Sequence, residues 1–134
     1  MELISVIDDD ESVRIATVDL LNSVGFACEA FASAEAYLRS GKASATSCLI
    51  LDISMPGMNG LELQQRLWQD GHSIPIVFIT AFPTDATRVR AVKAGAVCFL
   101  PKPYADDKLL GCVEAALSGE PRHGPSKDDR TGEP

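Results

Sequence analysis

The chain has 134 residues, with 12 Lys and Arg against 19 Asp and Glu, for a net charge of −7 at pH 7. That length fits one domain with a real core, and the acidic balance without any basic stripe argues against direct nucleic-acid binding, which needs clustered Lys and Arg. Asp8 interrupts the N-terminal apolar stretch, and no run approaches the ~20 apolar residues of a membrane span, so the expected location is cytoplasmic, with no membrane partner.

In chain order, a first apolar run, Ile4-Ser5-Val6-Ile7, stops at Asp8-Asp9. Behind the acidic triplet, Val13, Ala16, Leu20 and Leu21 mark one helical face that ends near Val24-Gly25. A weak strand over 27–31 precedes a short helix at about 34–39, closed by Gly41. The second strong run, Cys48-Leu49-Ile50-Leu51, meets Asp52; the turn Met55-Pro56-Gly57-Met58-Asn59-Gly60 then leads to a helix carrying Leu61, Leu63 and Leu67. A third run, Ile76-Val77-Phe78-Ile79, meets Thr80, and Pro83-Thr84-Asp85 starts a helix with Val89 and Val92 expected inside, closed at Ala94-Gly95. The last run, Val97 to Pro101, precedes Lys102-Pro103, and a final helix over about 105–117 should turn Leu109, Leu110, Val113 and Leu117 inward.

Runs this continuously apolar suit strands covered on both faces. Strand and helix alternating five times predict an α/β fold, a five-stranded doubly wound parallel sheet of (βα)5 topology. In such sheets ligands sit beyond the carboxyl ends of the strands, at the switch in strand order. Asp8, Asp9, Asp52, Thr80 and Lys102 all fall at that edge, so three carboxylates, a hydroxyl and an ammonium should converge there.

The segments Val6-Ile7-Asp8-Asp9-Asp10-Glu11, Leu49 through Gly60, Phe78-Ile79-Thr80-Ala81, Lys93-Ala94-Gly95-Ala96 and Phe99-Leu100-Pro101-Lys102-Pro103-Tyr104 resemble the receiver domains of two-component response regulators, a flavodoxin-like, CheY-like fold. The resemblance covers about residues 1–118 and is greatest to FixJ/LuxR-type receivers. It implies a signalling phosphoacceptor rather than an enzyme with a separate substrate. A phosphoryl group would pass from a phosphohistidine on a sensor kinase or histidine phosphotransfer protein to Asp52.

Elementary chemistry agrees. A carboxylate ionised at neutral pH can attack phosphorus without a separate base, and Pro56 and Gly57 stand between Asp52 and any helix it could cap. Asp8, Asp9 and Asp52 together would raise one another's pKa unless a cation joined them, and Mg²⁺ or Mn²⁺ is the expected ion. Asp9 is expected as a direct ligand and Asp8 as a direct or water-bridged one, whereas Asp10 and Glu11 suit the start of the first helix. Lys102 supplies a point charge for phosphoryl oxygens and Thr80 a donor. By resemblance, the Ser54 carbonyl completes the metal ligands, Ala81 adjoins the phosphate site, the Lys102-Pro103 bond is cis, and Thr80 and Phe99 move inward on phosphorylation. Phe82 beside the site is expected to shield the phosphoryl group and prolong its life. The first helix, with Val13, Arg14 and Thr17, is the expected docking side for the phosphodonor. The surface of 84–94 with Asp106, Asp107 and Lys108 is the expected output or homodimer face.

Three other classes fit these residues less well. An aspartate-nucleophile phosphohydrolase needs a second acid two residues after the nucleophile, where Ser54 stands. A flavodoxin-like cofactor binder needs a Ser, Thr or Gly-rich loop after the first strand, where the acids would repel phosphate. A receiver-shaped module that never takes phosphate would have no use for Asp52, Thr80 and Lys102 together. Cys28, Cys48, Cys98 and Cys112 match no metal spacing and are expected as buried free thiols in a reducing compartment. Residues 119–134 lack large apolar side chains and are expected to form a disordered tail or linker.

Overall fold

The apolar runs have no polar face to offer water, so each must be covered on both sides, and the chain solves this with a central sheet. The structure, a computed structural model, describes residues 2–119. Strands β1 (Leu3–Ile7), β2 (Ala27–Phe31), β3 (Cys48–Asp52), β4 (Ile76–Thr80) and β5 (Cys98–Pro101) form one parallel sheet in the order β2-β1-β3-β4-β5. Helices α1 (Glu11–Ser23), α2 (Ala34–Ser40), α3 (Gly60–Gln69), α4 (Asp85–Lys93) and α5 (Asp106–Ser118) alternate with the strands, and a 3-10 turn spans Ala43–Ala45. The five-stranded (βα)5 expectation is met.

Alternate strand residues feed two cores. Ile7, Leu49, Leu51 and Phe78 pack with Tyr37, Leu63, Leu67 and Ala91 from α2, α3 and α4. Ile4, Val6, Ile50, Val77 and Ile79 pack with Leu21, Leu109 and Val113 from α1 and α5. The chain leaves β1 for β2 on one side and returns to β3 on the other, so the change in strand order lies between the carboxyl ends of β1 and β3.

Helix starts follow their caps. Asp10 accepts the Ser12 and Val13 N–H groups at the head of α1, as anticipated for a solvated acid there. Asn59 with Glu62, and Thr84 with Thr87, form reciprocal caps on α3 and α4. Gly60 at the head of α3 sits so close to β3 that a Cβ would lie 2.5 Å from the Asp52 carbonyl oxygen.

Several side-chain expectations need correction. In α1 the buried residues are Thr17 and Leu21, while Ala16 is exposed; in α4 only Ala91 is buried and Val89 is exposed. With so little apolar surface, α4 packs through small Ala91, which allows close approach to the sheet and leaves Val89 on the solvent side. Cys98 on β5 and Cys112 on α5 are paired as a disulfide with Cα atoms 5.9 Å apart, which corrects the expectation of four free thiols. The two face each other across the sheet–α5 layer, within the usual Cα range for pairing. Cys28 and Cys48 are free, Cys48 buried and Cys28 only partly so. Of the segment expected as a tail, residues 120–134 lie outside the described residues.

Candidate functional site

Parallel register brings the acids together. Ile7 of β1 pairs with Leu51 of β3, so the next residues, Asp8 and Asp52, are neighbours at the carboxyl edge. Both are buried, whereas Asp9 is exposed. On the other side Thr80 ends β4 opposite Pro101, and Lys102 follows directly, its N–H bonded to the Thr80 carbonyl at 2.8 Å. The Lys102–Pro103 peptide is cis.

Lys102 Nζ reaches across the edge. It donates to Asp8 Oδ1 at 3.2 Å and to Asp52 Oδ2 at 3.2 Å. It also lies 2.9 Å from Asp8 Oδ2, near enough for charge attraction, yet that oxygen accepts no hydrogen bond of proper geometry among the described residues. The Asp10 N–H holds Asp8 Oδ1 at 2.9 Å, and the Ser54 N–H holds Asp52 Oδ1 at 3.2 Å.

The electrostatics are frustrated by design of the edge. Burial first, and the Asp8 carboxylate second, push the Asp52 carboxyl up to about 7, against the pull of Lys102. Burial alone would lower the Lys102 ammonium, but Asp8 and Asp52 outweigh it and raise its pKa. Asp8, Asp9 and Asp52 each offer a carboxylate oxygen, and these oxygens lie within 4.8 Å of one another. One ammonium cannot balance three carboxylates. An all-oxygen donor set containing a buried, unbonded Asp8 Oδ2 fits a hard divalent cation.

The remaining predicted residues are placed less centrally. Thr80 is buried, and its hydroxyl accepts the Phe82 N–H at 3.1 Å. Ala81 is exposed beside it. The group of Ser54 that has a partner here is its N–H. Phe99 is buried in the α2–α4 core with the Arg88 guanidinium 5.9 Å from its ring centroid, so the ring is already inward rather than waiting outside. Phe82 is 72% exposed, too open to shield a phosphoryl group, and the ground for expecting a long-lived phosphorylated state is thereby removed.

Three supporting contacts were not foreseen. Arg14 Nη1 donates to the Asp8 carbonyl at 2.6 Å, tying α1 to the acid loop. The Tyr104 and Thr17 hydroxyls bond to each other, tying the segment after Lys102 to α1. Glu35 Oε2 accepts the Met58 N–H at 2.9 Å and so holds the loop after Asp52 against α2. The Tyr directly after Lys102-Pro103 was a usable signal for the second; nothing in the spacing of Glu35 and Met58 pointed to the third.

Residues 4–114 match the response regulator receiver domain family. The chain is 42% identical over 120 residues to the response regulator protein TodT of Pseudomonas putida, covering 90% of this chain and 53% of TodT. It is 38% identical over 114 residues to the transcriptional regulatory protein FixJ of Bradyrhizobium diazoefficiens, covering 85% of this chain and 56% of FixJ. The chain thus spans about half the length of these curated relatives. Among solved structures, the response regulator StyR superposes with a TM-score of 0.82 at 44% identity, covering 89% of this chain and 60% of that one. FixJ-N superposes with a TM-score of 0.79 at 34% identity, covering 88% of this chain and 94% of its own. With the family match running from 4 to 114 and carrying the acid-lined edge within it, the chain belongs to the response regulator receiver domains.

Proposed function

We propose that Asp52 is the phosphoacceptor of a His-Asp phosphorelay, and that the observation carrying this reading is the Lys102 ammonium held between Asp8 and Asp52 at the carboxyl edge of the sheet. An Asp52 carboxylate oxygen attacks the phosphorus of a phosphohistidine on a sensor kinase or histidine phosphotransfer protein. The O–P bond forms as the N–P bond breaks, and its electron pair stays on the departing imidazole nitrogen. Lys102 is placed to neutralise charge on the phosphoryl oxygens, without any general base being needed. Asp8 and Asp9, with Asp52 and by family resemblance the Ser54 carbonyl, would hold Mg²⁺ or Mn²⁺. That ion would supply positive charge to the phosphoryl oxygens and relieve repulsion among the acids.

After transfer, phosphoryl oxygens would offer an acceptor to the Thr80 O–H, whose oxygen here accepts the Phe82 N–H. Phe99 is already buried, so the response would be a repacking of α4 and β5 around it, with Arg88 following. That face would carry the output or a homodimer contact. The chain's role is signalling, its only chemistry its own phosphorylation and dephosphorylation.

The test is intact-mass spectrometry after incubation with acetyl phosphate and Mg²⁺. One phosphoryl adduct, absent from Asp52→Asn and from chelator-treated protein, is expected. An adduct that persists in Asp52→Asn would move the acceptor elsewhere, and none at all, from acetyl phosphate or a phosphorylated donor, would leave an interaction module that takes no phosphate.

A further inference from the structure

Between α3 and α4, at the amino end of the sheet and so away from Asp52, lies a groove of about 840 Å³, within the size range of binding clefts. Its base is apolar: Leu67, Ile76 and Val97 are buried beneath it, and half-buried Ile74 and Pro75, leading into β4, line it. On its α3 wall Trp68 is 71% exposed. On its α4 wall stand Arg90 and Lys93, both exposed.

Charge sets this groove apart. The chain carries a net −7, yet no Asp or Glu is among the described residues lining the groove. Among the described residues Arg90 and Lys93 pair with no carboxylate; the ion pairs are Lys42 with Glu29, Arg66 with Asp70, and Lys102 with Asp8 and Asp52. Cations in the last turn of a helix offset its carbonyl dipoles, which accounts for basic residues on α4. It does not account for an apolar trough beneath them with an open indole on the opposite wall. Single exposed aromatics are ordinary; an exposed indole, two unpaired cations and a greasy floor in one concavity form the anatomy of an interface centre with a charged rim.

We propose that the α3–α4 groove is a docking site for a partner protein segment in which carboxylates flank a leucine or phenylalanine anchor. The anchor would lie on Ile74 and Pro75 beside Trp68, and the carboxylates would meet Arg90 and Lys93. The net negative charge of the chain disfavours such a segment over most of the surface, so these two cations beside Trp68 help fix where it sits. Most of the site lies at the opposite end of the sheet from Asp52, so it is not formed by the phosphoryl-handling residues.

Trp68 is the only tryptophan of the chain, so its emission reports on the groove directly. The full chain, wild type and Asp52→Asn, would be titrated with a blocked peptide in which Leu and Phe are each flanked by pairs of Glu, and with the same peptide carrying Lys for Glu. A saturable change in Trp68 emission is expected with the Glu peptide in both proteins, much weaker with the Lys peptide and in high salt. Reversal of both cations, Arg90→Glu with Lys93→Glu, should weaken binding by about tenfold or more, the size of a lost close charge contact. If circular dichroism shows that the reversal disturbs the fold, Arg90→Gln with Lys93→Gln serves, with a smaller loss expected. No saturable change, or equal affinity across peptides and variants, overturns the proposal. Carbodiimide coupling of Lys93 to carboxylates beyond Gly119, or to a second copy, would overturn it too, by assigning the groove to the chain itself.

Discussion

Lys102 Nζ and Asp52 Oδ2 stand 3.2 Å apart although their residues are 50 positions apart in the chain, and the same ammonium also bonds Asp8. One cation is therefore shared by two buried carboxylates, and each partner depends on the other two. Lys102→Ala should lower the rate of Asp52 phosphorylation from acetyl phosphate by about 10²-fold, the usual size for losing one positioned charge donor. The same change should tighten Mg²⁺ binding, because a competing cation leaves the acid cluster. Titrating Mg²⁺ and timing adduct formation on one preparation separates the two effects; unchanged phosphorylation would remove Lys102 from the chemistry.

Asp52 itself should act against stability when no metal is bound. Its carboxyl is raised from 3.8 to about 7 by burial and by Asp8. A raised carboxyl pKa means that the folded state holds the proton more tightly than the unfolded chain. Its contribution is thus most favourable near pH 4 and is lost as pH climbs to about 7. Asp52→Asn should be more stable than wild type by about 1–3 kcal/mol at pH 7.5 in EDTA, a buried unbalanced charge having been removed. The gap should close near pH 4 and also shrink in saturating Mg²⁺. Urea melts of both proteins under these conditions check it; parallel curves at all pH values would count against the electrostatic account.

Most of this edge is legible in the sequence, and the reason is topological. A continuous apolar run followed by a polar residue marks a strand end, and parallel strands bring like ends together, so Asp8, Asp52, Thr80 and Lys102 could be grouped from sequence. Side-chain aim was not legible. Val89 has the residue type of an inward position, yet α4 packs through Ala91 and leaves it exposed, and Phe82, expected to cover the site, turns to solvent. The Arg14, Tyr104 and Glu35 contacts join elements distant in sequence through single polar atoms, which leave no periodicity to read.

Gly60 should be irreplaceable for a steric reason. Alanine at this first helical position gains up to about 1 kcal/mol of helix propensity over glycine. Against that, a Cβ would come within 2.5 Å of the Asp52 carbonyl oxygen and 2.9 Å of Ile53 Cα, both backbone atoms that cannot swing aside. Overpacking of this kind typically costs about 1–3 kcal/mol, so the clash should win. Gly60→Ala is expected to lower stability by about 1–2 kcal/mol net and to slow phosphorylation by shifting Asp52. Equal melting curves would show that α3 can withdraw freely.

The four cysteines should divide into two pairs with different chemistry. Cys98 and Cys112 are joined between β5 and α5, both buried, and separated by 14 residues in the chain. Cys28 and Cys48 remain thiols, and burial raises the pKa of both, pushing Cys48 up to about 12, with Cys28 adding to the rise. A thiol reagent acts on the thiolate, so neither should react quickly while the protein is folded. Denatured without reductant, each chain should present the two thiols of Cys28 and Cys48; reduced first, it should present four. Closing a loop of about 15 residues is worth about 3 kcal/mol, so reduction should lower the urea midpoint of wild type. Cys112→Ser, which cannot make the bridge, should melt at one midpoint with or without reductant. Four reactive thiols in unreduced, denatured wild-type protein would show the bridge absent in solution, and with it the reductant-dependent shift should vanish.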